Sequence, residues 1–198
     1  MRYILYDFFG TLVRYDESAR LANVNTTHQY LESLFPGHSP DDLRGQINLA
    51  YAGFEANAGE TLREYHTFDA MAVLLGNLGA SEPTDQQVEE MSHRWISDWS
   101  AGIRPFDGLE LMLDALDIPG AIVSNTSTPW LVPEAVSRHK LGQHFDFILT
   151  SIDIGMRKPH ASIYEDALQR IPVSASDVLF VGDNAECDYF GPRSLGIN

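Results

Sequence analysis

Hydrophobic positions along the chain change rhythm twice. Residues 3–8 form an apolar, β-prone run closed by Gly10-Thr11, which predicts a buried strand. From about Tyr15 to Ser100 the spacing becomes helical. Leu21, Val24, His28, Leu31 and Phe35 share one face. Leu43, Ile47, Ala50, Tyr51 and Phe54 share another, after the start signal Ser39-Pro40-Asp41. A third helix is expected from Leu62 to Leu78. A fourth carries Val88, Met91, Trp95 and Trp99, with Thr84 and Asp85 as caps. Four helices without an intervening strand predict an inserted bundle, and Tyr51, Phe54, Trp95 and Trp99 read mainly as its core.

After Pro105 strands and helices alternate. Leu109, Met112, Leu113 and Leu116 make a helix face, and Ala121–Asn125 a short strand. A helix follows around Pro129–His139, then a strand over Phe145–Ser151, a helix around Ala161–Arg170 and a strand over Asp177–Asp183. That order predicts an α/β fold with a parallel sheet covered on both faces. The sheet-bearing part is expected over residues 1–14 and 104–198, and the helical insertion over 15–103. Ligands of such sheets collect at the carboxyl ends of the strands. Asp7, Ser124-Asn125 and Asp183 stand at those ends, and Lys158 in the loop before a helix.

Composition narrows the partners. A net charge of −15 disfavours nucleic acid and anionic membrane surfaces, although a local site can still hold a small phosphorylated substrate. No apolar stretch reaches the ~18 residues of a membrane span, and the start lacks a signal-peptide pattern. Cys187 is the only cysteine, so a reducing, cytoplasmic setting is expected. Lys140 and Lys158 are the only lysines, which weakens the reading of Lys158 as one more solvated surface cation.

Four short stretches, "YDFFGTL", "VSNTS", "RKPHASIY" and "VGDNAECD", resemble in order and spacing the motifs of haloacid dehalogenase-superfamily hydrolases with a helical cap inserted after the first strand. The resemblance covers nearly the whole chain. It implies a Rossmann-like core with a four-helix cap that closes over the substrate, hinging near Arg14–Asp16 and Ile103–Phe106. It implies Asp7 as nucleophile, forming an ester that water cleaves. It implies Mg²⁺ on Asp7, Asp183 and the backbone carbonyl of Phe9, with Asp188 helping directly or through water. Glu186 and Asn184 stand near that set. Ser124, Asn125 and Thr11 would bind substrate, and Lys158 would neutralise developing charge.

One departure divides the readings. Phosphatases of the family carry a second aspartate two residues after the nucleophile, and here that position is Phe9. Losing general acid–base help costs ~10²–10⁴ in rate. The favoured reading is a Mg²⁺-dependent phosphohydrolase with the proton supplied otherwise, by His28, His38, His66 or His93 or through a good leaving group. A metal-independent 2-haloacid dehalogenase tolerates an aromatic there, and Arg14, Arg20 or Arg44 could bind its substrate carboxylate. However, "GDNAECD" follows the metal-binding pattern instead of the dehalogenase Ser-x-Asn-x-x-Asp. A phosphonoacetaldehyde hydrolase needs a cap lysine, and residues 14–104 have none. A catalytically impaired phosphate-binding protein is the third reading. The chain also stops at "SLGIN", where the family's fifth strand would begin: either that edge strand is missing or the sequence is cut short, and truncation would expose the edge along residues 178–182.

Overall fold

In the computed structural model, which describes residues 1–16 and 25–198, the opening apolar run forms β1 (Tyr3–Tyr6) with every residue buried. β2 (Val13–Tyr15) and β3 (Ile103–Pro105) pair antiparallel as a separate ribbon at the two ends of the helical insertion. β4 (Gly120–Ser124), β5 (Ile148–Thr150) and β6 (Val178–Val181) join β1 in a parallel sheet of order β5-β4-β1-β6. Leu5 stands opposite Ala121 on one side and Phe180 on the other. This is the α/β class that the alternation of strands and helices predicts.

The chain divides into two compact units. The helical unit comprises Asp16–Thr61 and Tyr65–Gly102. It contains α1 (Asn25–Leu34), α2 (Pro40–Thr61), α3 (Thr67–Asn77) and α4 (Asp85–Ser100). Its core is Leu31, Leu43, Ile47, Met71, Leu74, Leu75 and Met91, with Tyr51, Phe54 and Trp95 packed against it. Buried Asp98 accepts from Thr27 N at 2.8 Å and from the hydroxyls of Thr26 and Thr27 at 2.6 Å, so it caps the first turn of α1. Thr84 caps α4 with Gln87 as its reciprocal partner. Leu21 and Val24 of the expected first face, and Arg20, lie outside the described residues.

The third helix starts later than its periodicity suggests. His66 accepts from Phe68 N, and Asp69 in turn accepts from His66 N, a reciprocal cap that fixes the start at Thr67. Leu62 ends α2 in the left-handed region, with φ +56°. The residues between, Leu62–Glu64, group with the α/β unit, where Arg63 forms an antiparallel bridge to Met156.

The α/β unit adds α5 (Leu109–Ala115), α6 (Leu131–Arg138), α7 (Ser151–Ile154), α8 (Ala161–Gln169) and α9 (Gly191–Arg193). Alternate strand residues Tyr3, Leu5, Ala121, Val123, Val178 and Phe180 pack on Ile163, Tyr164 and Ala167 of α8. This is the two-residue period of a sheet face meeting one stripe of a helix. Asn198 pairs with β6 through Asn198 N to Val178 O (3.0 Å) and Phe180 N to Asn198 O (2.9 Å). Chain order runs outward from β1 to β4 and β5, then returns to β6 on the opposite side. The direction of winding therefore reverses at β1, where a parallel sheet opens a crevice. Among the described residues, no helix is long and apolar enough to cross a membrane.

Candidate active site

Three strand ends meet at that crevice. β1 gains one more ladder bond, Asp7 N to Val181 O at 2.8 Å, and then turns away. Leu12 N and Val13 N both bond to Phe8 O, which folds the next residues into a tight loop. Asp7 is thereby held at the rim, buried at 6% exposure. Phe8 is fully buried, while Phe9 is half-buried with its ring edge-on to Phe8 at 5.0 Å.

Lys158 sits at the centre. Its Nζ donates to Asp7 Oδ1 and Asp188 Oδ1, each at 2.7 Å, and its side chain is 2% exposed. The ring of Phe180 lies 5.2 Å from the ammonium. Asp7 Oδ2 accepts from Thr11 Oγ1 at 3.2 Å. Burial pushes the Asp7 carboxyl above its ordinary value. The Lys158 charge opposes that shift, and the Asp188 charge adds to it.

Carboxylate oxygens of Asp7, Asp183 and Asp188 lie within 4.8 Å of one another. Among the described residues Lys158 is the cation paired with this group, one positive charge beside three carboxylates. Asp183 has no hydrogen bond or ion pair among the described residues. Two glycines make the crowding possible. Gly10 has φ +82°, and a Cβ there would lie 2.1 Å from Asp183 Oδ2. A Cβ on Gly182 would lie 2.2 Å from Asp188 Cγ. Unpaired hard oxygens around excess negative charge suit a divalent cation such as Mg²⁺.

Asp188 is placed by a π-helix over Ala185–Phe190. Asn184 caps it, its Oδ1 accepting from Glu186 N and Cys187 N at 3.0 Å. Asn184 N in turn donates to Asp188 Oδ2 at 3.0 Å. The Asn184 carboxamide oxygen is therefore spent on the helix start, and Glu186 is exposed and outside the carboxylate group.

Ser124 ends β4 fully buried, and its Oγ has no hydrogen-bond partner in the structure. An orphaned buried hydroxyl costs about 1–3 kcal/mol and marks a position that an incoming oxygen can satisfy. The Asn125 side chain does something the sequence did not suggest. Its Oδ1 accepts from Lys158 N at 2.7 Å, and its Nδ2 donates to Lys158 O at 3.0 Å. This two-point clamp fixes the backbone that carries the central lysine. Pro159 precedes the first turn of α8, which His160 caps through Ser162 N.

The candidate histidines all belong to the helical unit. His66 is occupied as a cap, and burial lowers its pKa. His93 Nε2 lies 4.0 Å from Glu89, and His38 is half-buried. His28 Nε2 is buried without a hydrogen-bond partner. Of the candidate arginines, Arg14 stands 3.5 Å from Asp107 and Arg44 3.5 Å from Asp41.

A family profile described as haloacid dehalogenase-like hydrolase matches residues 1–196. A (S)-2-haloacid dehalogenase of Pseudomonas fluorescens is 28% identical over 188 residues, covering 91% of this chain and 75% of that protein. A phosphoglycolate phosphatase of Pectobacterium atrosepticum is 29% identical over 127 residues, covering 59% of this chain and 54% of that protein. Against other curated relatives the matched stretch spans about half of their length or less. The solved structure of a HAD-hydrolase from Bacillus subtilis bound to magnesium superposes with a TM-score of 0.66 at 21% identity. It covers 100% of this chain and 84% of that one, a likeness of fold.

Proposed function

The chain belongs to the haloacid dehalogenase-like hydrolase family, and from that membership we propose a Mg²⁺-dependent phosphohydrolase acting on a small phosphorylated metabolite through an aspartyl intermediate. The observation that carries this reading is the third carboxylate. Asp183 adds charge to a site where Lys158 already balances only one of two acids. A metal-free site gains nothing from it. Asp7, Asp183 and the Phe9 carbonyl would hold the cation, with Asp188 close by. When bound, it would offset the charge of phosphate and acids.

The remaining roles fall on the protein's own groups. Lys158 occupies Asp7 Oδ1, so Oδ2, held only by the longer bond from Thr11, is the oxygen free to attack phosphorus. The ester oxygen leaves as the phosphoryl group joins Asp7. Water then attacks that phosphorus, releases phosphate and restores the carboxylate. Ser124 Oγ would donate to a phosphate oxygen and so find its missing partner. Lys158 would stabilise charge gathering at the reacting centre. Phe9 has no proton to give, so substrates whose leaving group is already a weak base should be favoured. The helical unit would act as a cap that supplies specificity.

Dehalogenation is the second reading. It rests on Phe9, because halide leaves without a proton, and on the dehalogenase relative matched over most of the chain. One screen separates the two. Phosphate esters and 2-haloacids are each incubated with and without Mg²⁺. Phosphate release that a chelator abolishes supports the phosphohydrolase. Halide release that survives the chelator overturns it. Beryllium fluoride with Mg²⁺ should also give a stable Asp7 adduct in the phosphohydrolase alone.

A further inference from the structure

A segment that covalently interrupts the helical unit lies against the loop that carries Lys158. Thr61 and Tyr65 belong to the helical unit, whereas Leu62–Glu64 between them belong to the α/β unit. Glu64 N donates to Gly155 O at 3.0 Å, and Arg157 N donates to Leu62 O at 2.8 Å. With the Arg63–Met156 bridge, these bonds make a short antiparallel pairing against residues 155–157. Leu62 holds its left-handed backbone to enter it, a conformation that costs roughly 1–2 kcal/mol for a residue with a side chain.

The pairing delivers a buried acid. The Glu64 side chain is 0% exposed, and its Oε2 lies 3.1 Å from Arg157 Nε. The same oxygen accepts from Ser151 Oγ. Ser151 Oγ has one proton, and the nearby Thr126 O at 3.2 Å is the longer contact, so the proton goes to the carboxylate. The lone pair then accepts from Thr126 N at 2.8 Å. Glu64 thus grips two neighbours of the site at once. Arg157 directly precedes Lys158. Thr126 directly follows Asn125, whose side chain clamps the Lys158 backbone.

We infer that Glu64 is a positioning residue for Lys158, holding its loop and the Ser124–Asn125 turn in register through Arg157 and Ser151. Its sequence setting hides this, because an acid in a run such as Thr61-Leu62-Arg63-Glu64 reads as a solvated helical charge. The functional weight of the inference rests on the proposed role of Lys158, but its test does not need turnover. Only two lysines are present, and Lys140 is exposed. Reductive methylation with formaldehyde and cyanoborohydride, followed by peptide mass spectrometry, therefore reads Lys158 against an internal standard.

In the wild type Lys158 should label far more slowly than Lys140. Glu64→Ala should speed Lys158 labelling by about tenfold, on the scale of one lost charge-assisted hydrogen bond, with Lys140 unchanged. Glu64→Gln keeps an acceptor for Ser151 and should give a smaller rise; it carries the test should the alanine variant fail to fold. Leu74→Ala, in the helical core, serves as the control of lowered stability. Lys158 labelling at the wild-type rate in both Glu64 variants overturns the inference, as does an equal rise in Leu74→Ala at matched melting temperature. Wild-type turnover of p-nitrophenyl phosphate judges the phosphohydrolase reading separately.

Discussion

Asp7 sits in surroundings that oppose its own charge. Burial and the Asp188 charge together raise its pKa against the opposing pull of Lys158. A carboxyl with a folded value above its unfolded one adds stability at low pH and loses that contribution as pH rises through the folded value. At neutral pH the ionised group is therefore a net cost, as the proposed nucleophile role would require. Asp7→Asn should abolish turnover yet melt higher than wild type in metal-free buffer near pH 7, with the difference shrinking toward about pH 4. Calorimetry across that range checks it, and a wild type more stable at pH 7 would mean that the ammonium wins. Phe9 yields a second expectation. Phe9→Asp should raise kcat/KM on alkyl phosphates by ~10²-fold, within the usual gain from a positioned acid, and change aryl phosphates little. Steady-state rates on matched pairs of esters test that split.

The elements that place the site were legible to different degrees. β1, β4 and β6 announce themselves as apolar runs ending in Asp7, Ser124 and Asp183, because strands buried on both faces need continuous hydrophobicity. Thr84 was readable as a cap from local chemistry alone. The β2–β3 ribbon was not, since three residues a side, two of them arginines and one Pro105, carry no period. Leu62–Glu64 looked helical because Leu, Arg and Glu are good helix formers, and a tertiary pairing overrode that propensity. The Asn125 clamp escaped too, its partner being 33 residues away. Asn184→Ala should cost about 1 kcal/mol as a lost cap and should weaken Mg²⁺ binding, because the same turn orients Asp188. Gly10→Ala should also lose Mg²⁺ affinity, its Cβ colliding with Asp183. The rise in melting temperature with added Mg²⁺, compared with wild type, measures both.

At the scale of the whole molecule the charge of −15 sets the solution behaviour. Acids outnumber bases 28 to 13, so the folded chain repels itself and screening should help it. Raising NaCl from about 20 to about 300 mM should raise the melting temperature; a fall would show that attractive pairs dominate instead. The two units have separate cores, which invites treating residues 16–102 as an exchangeable cassette. Leu62–Glu64 forbids that simplification. These three residues, midway along the inserted stretch of sequence, belong to the sheet-bearing unit and pair there with the residues before Lys158. A chimaera that imports this cassette from a relative also imports whatever that relative has at position 64. It will keep its chemistry only if the donor brings a carboxylate there to meet Arg157 and Ser151.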